Sequence, residues 1–345
     1  MNKETKIQLI IIVILSIIQV ILLTKLFTNK QNNKMSPPEE IKIEKETNIS
    51  NIDKGKVVTQ SKINLNDYNT NITIKEKGEY EITGTFTHSI FIDSKEEVIL
   101  NLNNVNIEST NTAAIGNISE NNLVINLLEN TTNTLKDGGS SELDGCIYST
   151  GHLIIEGKGK LNIYGNQTDG EGISTTDNDI TINGGVININ SNDDGLNAGG
   201  DKGGVITIND GNIYIKAGGD GIDSNKDLVI NGGSIYTIGS PKGGNSGIDT
   251  DGIFEINGGK VISLGSDMLQ NPNNTSKQKY ISFDLNNKIN KESKISIRDQ
   301  NNNEITTFTA DETFKTLIVS TNKLKNETYN LYIDDTKTEY SKTIK

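Results

Sequence analysis

Two short motifs recur in lockstep through the middle of the chain, and together they leave few folds open. Ile182-Asn183-Gly184-Gly185, Ile208-Asn209-Asp210-Gly211, Ile230-Asn231-Gly232-Gly233 and Ile256-Asn257-Gly258-Gly259 follow one another at intervals of 26, 22 and 26 residues. Interleaved with them run Asp169-Gly170-Glu171-Gly172-Ile173, Asp194-Gly195-Leu196-Asn197, Asp220-Gly221-Ile222-Asp223 and Ser246-Gly247-Ile248-Asp249, preceded by Asp144-Gly145-Cys146-Ile147. The apolar members Ile147, Ile173, Leu196, Ile222 and Ile248 stand 26, 23, 26 and 26 apart. A period of this length is the signature of a solenoid, in which no single repeat can bury its own apolar face.

Each period holds three short strands, for instance Gly195 to Ala198, Val205 to Ile208 and Asn212 to Lys216. Stacked about 4.8 Å apart, successive coils bury Ile182, Ile208, Ile230 and Ile256 as one inward ladder and Ile187, Ile213, Ile235 and Val261 as another. The pattern therefore predicts an all-β, right-handed parallel β-helix, the hand following from that of parallel crossovers. The Gly-Gly pairs suit corners that need positive φ, and Asn183, Asn209, Asn231 and Asn257 predict a stacked amide ladder. Cys146 falls at an inward apolar position.

Outside the repeat the chain divides by composition. After residues 1–6, read as a short cytoplasmic end, comes the apolar run 7–27, uncharged from Ile7 to Thr24 and about 27 Å long as a helix, which matches the hydrocarbon core of a bilayer. It lacks a small-residue cleavage site and reads as an uncleaved signal-anchor, a single pass at the cell membrane with the body extracellular. Residues 28–60 are polar, carry Pro37-Pro38 and read as a flexible linker. The β-helix is expected over 61–278. Residues 279–345 change period, with strands around Ile281–Leu285, Lys294–Ile297, Thr316–Val319 and Tyr329–Tyr332, and predict a small antiparallel β cap over the open solenoid end.

Charge and residue usage exclude several functions. The net charge is −12 and Arg298 is the single arginine, so nucleic acid, which demands a basic stripe, is a poor partner. One cysteine rules out a disulfide, and two histidines disfavour zinc or a Ser-His-Asp triad. No complete catalytic constellation stands out.

Two constellations remain. Asp169, Asp194 and Asp220 read as equivalent in consecutive coils, Asp223 and Asp249 follow one residue past the apolar mark, and Asp193 and Asp251 crowd in beside them. Stacked carboxylates repel unless neutralised, and calcium, which takes six to eight oxygens, suits them better than magnesium. The plain alternative is that Asp and Gly form good turns. Tyr214 and Tyr236, one coil apart, with Tyr164 one alternation away two coils earlier, form the second candidate, a platform for sugar rings.

The stretch Gly78-Glu79-Tyr80-Glu81-Ile82-Thr83-Gly84-Thr85, then Asn101-Leu102-Asn103-Asn104-Val105-Asn106-Ile107, Leu127-Leu128-Glu129-Asn130 and Asn133-Thr134-Leu135-Lys136-Asp137-Gly138 ahead of the Asp-Gly coils, resembles a bacterial carbohydrate-binding domain family with a polysaccharide-lyase-like β-helix. The resemblance covers roughly residues 60–335. It implies calcium at the Asp-Gly corners, carried over onto Asp169, Asp193, Asp194 and Asp220, and binding of cell-wall polysaccharide without established cleavage. At the next corner Ser246 stands where Asp is expected. Three functions follow as expectations: a non-catalytic calcium-containing protein that binds cellulose or acidic uronans, a pectate-type lyase using a coil lysine as base, or a structural adhesin.

Overall fold

Short Ile- and Val-rich strands broken by Gly, Asn and Asp cannot each bury a face alone, and in the computed structural model, which describes residues 52–139 and 143–344, they do so by stacking. The expected cytoplasmic end, the membrane anchor at 7–27 and the linker up to residue 51 lie outside the described residues. Among the described residues no helix is long and apolar enough to cross a membrane.

The body is a parallel β-solenoid. One ladder holds nine strands, from Lys56–Val58 to Asp249–Thr250, all paired in parallel. Its first described strand lies inside the span read as linker, so among the described residues coil pairing begins by Lys56. A second ladder runs through Leu123–Leu127, Leu153–Gly157, Ile180–Ile182, Ile206–Ile208, Leu228–Ile230 and Phe254–Ile256. A third runs from Thr132–Lys136 through Lys160–Gly165, Val186–Ser191, Asn212–Lys216 and Ser234–Ile238 to Lys260–Gly265.

Three strands per coil hold from Ile115 onward. In the N-terminal coils one long strand serves both the second and third ladders. Val98–Glu108 pairs with Leu123–Leu127 at its start and with Thr132–Lys136 at its end, so the corner between those ladders opens only in the coil after it.

The inward columns are those the spacing predicts. Ile182, Ile208, Ile230 and Ile256 are consecutive partners, as are Ile187, Ile213, Ile235 and Val261, and none is more than 1 % exposed. Cys146 joins this core, and burial pushes its thiol well above the usual range. On the second ladder's outer corner the asparagines form the expected amide chain, each donating to the previous coil: Asn209 to Asn183 at 2.8 Å, Asn231 to Asn209 at 2.8 Å and Asn257 to Asn231 at 3.1 Å. Gly233 shows why glycine follows. Its φ is +82°, and an added Cβ would sit 2.7 Å from the Gly211 carbonyl oxygen one coil below.

An open ladder exposes unpaired backbone groups, and the C-terminal segment covers them. Phe314–Ser320 pairs antiparallel with the last coil strand, Lys260–Gly265, and on its other side with Tyr280–Ile289. Lys294–Arg298, Glu304–Thr309, Thr328–Ile333 and Thr336–Thr343 form a separate four-stranded antiparallel sheet. A second apolar core, including Phe283, Phe314, Leu317 and Tyr329, joins this cap to Ile238, Ile262 and Leu264 of the last coils.

If inward stacking carries the stability, Ile208→Ala will cost about 3 kcal/mol in denaturant unfolding, while Asn209→Ala, which removes exposed amide bonds, will cost about 1 kcal/mol. The reverse ranking would place the stability in the amide ladder.

Candidate functional site

The coil register decides which carboxylates meet. Ile173 pairs with Leu196 and Leu196 with Ile222, so two residues earlier Glu171, Asp194, Asp220 and Ser246 form one column at the corner that opens the first ladder. The backbone bonds Gly172 N to Asp194 O (2.9 Å), Gly195 N to Asp220 O (3.0 Å) and Gly221 N to Ser246 O (3.0 Å) fix that column. Asp169 is therefore not the equivalent of Asp194. It sits in an exposed turn at φ +58°, two residues before Glu171, because the Asp169-Gly170 pair is an extra step in this corner.

The column is buried. Glu171, Asp194, Asp220 and Ser246 are exposed by only 5, 7, 7 and 2 %. Glycines after them allow the approach: a Cβ on Gly195 would lie 2.2 Å from the Ile215 side chain. Backbone amides of the next coil cap two of the carboxylates, Asp220 N donating to Asp194 Oδ1 at 2.6 Å and Ser246 N donating to Asp220 Oδ1.

A parallel outward column stands beside it on the strand itself: Ser174, Asn197, Asp223 and Asp249 are successive partners. Asn197 links the two columns, its amide donating to Glu171 Oε1 and reaching Asp194 Oδ2 at 3.4 Å. Asp193 borders the site, half-buried, with its carbonyl accepting from Gly218 N and Gly219 N at 3.1 Å each. Asp251 does not join it. That residue is exposed beyond the far end of Asp249–Thr250, where its amide donates to the Ser224 carbonyl.

Burial raises Glu171 well above the carboxylate range, and Asp144 and Asp194 add to the effect. Asp194 is raised in the same way, by burial first and then by Asp223, Asp193 and Asp220. The ionic neighbours acting on both groups are negative. Three buried oxygens at this site, Glu171 Oε2, Asn197 Oδ1 and Ser246 Oγ, have no hydrogen-bond partner. Such groups are costly to leave unmatched. The donors are carboxylate, amide and hydroxyl oxygens, a hard set. Among the described residues no three carboxylate, imidazole or thiolate side chains converge as a ready metal cage.

The tyrosines do not make one platform. Tyr214 and Tyr236 are register partners with rings stacked 5.5 Å apart at an interplanar angle of 3°. The cap returns across them. Tyr214 donates to the Asp311 carboxylate at 3.0 Å, Tyr236 accepts from Asp311 N at 3.3 Å, and Phe308 packs edge-on to Tyr236 at 5.9 Å. Lys216 beside them pairs with Glu312 at 3.1 Å. Burial, then the Asp311 charge, raises the Tyr214 hydroxyl well above its usual range, and burial takes Tyr236 to about 12. Tyr164 stands apart, half-buried, with the Lys136 ammonium 5.6 Å from its ring centroid.

A family described as carbohydrate-binding domain-containing protein matches residues 68–315, well over half of the chain. The chain belongs to that family. A carbohydrate-binding domain-containing protein of Acetivibrio thermocellus is 33 % identical over 129 residues, which are 34 % of this chain and 44 % of the relative. This family member thus matches less than half the length of that relative. A solved structure described as "Structure of the polysaccharide lyase-like protein from C. thermocellum, Gadolinium derivative" is 25 % identical, with a TM-score of 0.39 over 61 % of this chain and 87 % of that one.

The raised carboxyls of this family member make its metal-free stability pH-dependent. The folded state retains protons that the unfolded chain releases above the ordinary carboxylate range, so stability is full at low pH and falls as pH rises through the raised values. In chelator, the melting temperature should climb as pH drops from about 8 to about 5. Glu171→Gln with Asp194→Asn should flatten that slope, and an unchanged slope would mean that the column does not govern it.

Proposed function

We propose that the protein binds polysaccharide, and that calcium, held at the buried carboxylate corner, organises the surface that does so. Family membership supports the first half. The observation that carries the second is the corner itself, where burial and negative neighbours raise the Glu171 and Asp194 carboxyls and three buried oxygens lack hydrogen-bond partners. Glu171, Asp194, Asp220, Asp223 and Asn197 are the groups that would hold the ion, with solvent and backbone carbonyls completing its demand for six to eight oxygens. When bound, calcium would supply positive charge to a corner rich in carboxylates, and so a contact for the carboxylates of a uronan.

On this reading the coil is wound right-handed, as parallel crossovers nearly always are. The action is binding without cleavage, and the N-terminal apolar run anchors the body at the outer face of the cell membrane. The chain's own residues then have separate tasks. The inward ladders hold the coil spacing, the corner carboxylates gather the charge, and the Asn and Asp of the outward column present polar groups to the glycan.

Pull-down of the full-length chain on insoluble pectate, with calcium and with chelator, tests both halves. Calcium should strengthen retention over that in chelator, and Asp194→Asn should weaken the calcium-dependent part about tenfold or more, since a bound ion would lose a charged ligand. Tight calcium binding by calorimetry with no retention on pectate or cellulose would instead assign the ion to stability alone. Release of unsaturated, ultraviolet-absorbing ends from pectate would replace binding with lysis.

A further inference from the structure

The same edge closure that ends the solenoid builds a groove of different character. It has a volume of about 690 Å3, within the roughly 300–1,000 Å3 that ligand sites occupy. Residues 271–282 form one side and the end of the chain at 342–344 the other. Three lysines, Lys277, Lys279 and Lys342, line it, with Asn271, Asn274 and Tyr280, and among the described residues no carboxylate side chain does. In a chain with 45 acidic and 33 basic residues that is a local reversal of sign. Among the described residues none of the three ammonium groups forms an ion pair.

The wall is pinned where it matters. Asn273 N donates to the Phe254 carbonyl at 2.7 Å and Gln278 N to the Ile256 carbonyl at 2.9 Å, so the segment runs along the open edge of the second ladder. The side chains of Asn273, Ser276 and Gln278 are taken up by that edge: Phe254 N donates to Asn273 Oδ1 at 2.8 Å, Ile256 N to Ser276 Oγ at 3.1 Å, and Gln278 Nε2 to the Gly259 carbonyl at 2.8 Å. Lys277 and Lys279, which alternate with them, have no such employment, although Lys277 N donates to Asn257 Oδ1, the last amide of the asparagine ladder, at 3.3 Å. Another groove, of about 920 Å3 along the Gly-Gly corners, mixes Lys158 with Glu156 and Asp210 and so selects no charge.

We infer that the cap groove binds an anionic saccharide, its carboxylates meeting Lys277, Lys279 and Lys342 and its hydroxyls meeting the amides of Asn271 and Asn274, without calcium. Ammonium donors recognise carboxylates as point charges, while primary amides offer a donor and an acceptor to a sugar hydroxyl. This rests on the polysaccharide-binding reading but not on the carboxylate corner, which lies elsewhere on the coil.

Calorimetric titration of oligogalacturonate into the full-length chain in chelator separates the two. The wild-type chain should bind it, more weakly at high salt, and Lys277→Gln, Lys279→Gln and Lys342→Gln combined should lower the affinity about tenfold or more. The melting temperature should hold, because the three side chains make no ion pair. Binding unchanged in the triple variant, or binding seen only when calcium is present, overturns the groove and leaves the corner reading standing. Inorganic sulfate competing as well as oligogalacturonate overturns the saccharide assignment in favour of a simple anion site. Failure of any saccharide to bind with or without calcium overturns both readings.

Discussion

The parallel backbone ladder between coils is the interaction on which everything else in this protein rests. Each coil donates and accepts along the same three edges, so a residue's place in its period decides which residues of the coils above and below it touches. One consequence is economy: a single apolar position, repeated, becomes a continuous core. Another is that unlike groups cannot average out. A carboxylate at a given corner meets the carboxylates at that corner in its neighbours, and an asparagine meets asparagines.

That rule gives the two polar columns opposite fates. The amides of Asn183, Asn209, Asn231 and Asn257 are both donor and acceptor, so stacking lets each satisfy the next. Ionised carboxylates accept only. Glu171, Asp194 and Asp220, stacked and buried, accept from groups that include backbone amides and Asn197, and the neighbouring charges that raise Glu171 and Asp194 are negative. Burial makes the mismatch expensive, because the low dielectric strengthens the repulsion that water would screen. A fold that repeats such a corner in consecutive coils carries a standing demand for positive charge or protons at that edge.

Much of this is legible in the residues themselves. The inward isoleucine columns, the amide ladder and the positive-φ glycines follow from spacing, since period 26 with one apolar mark per strand has a single way to stack, and four of the cap strands follow from the local alternation that replaces that period after residue 279. Spacing misleads where one corner holds an extra step. The Asp-Gly pair points to Asp169, whereas the glycine before each apolar mark points to Glu171, and the backbone bond from Gly172 to Asp194 makes Glu171 the member of the column. Asp251 was close in sequence but falls past the end of a two-residue strand. The stacking of Tyr214 on Tyr236 was visible one coil apart, yet the contact with Asp311 joins residues 97 apart, and no periodicity reports such a return.

The cap shows how an obligation of the fold becomes a surface. A solenoid that ends must satisfy the exposed edges of its last coil, and here the third ladder is met by an antiparallel strand while the second is met by side chains of a loop. An antiparallel closure leaves its outer strand free to carry a second sheet, and that sheet's connections reach back over the coil face to cover the tyrosine pair. A loop closure works differently. Asn273, Ser276 and Gln278 turn inward to the edge, and the side chains of Lys277 and Lys279, which alternate with them, form no ion pair among the described residues. In an acidic protein the presence of Lys277 and Lys279 at that place sets a positive groove at one end of the solenoid and a negative column along its flank. An acidic glycan lying along such a body would meet attraction directly at the cap, and at the flank only through a bridging cation.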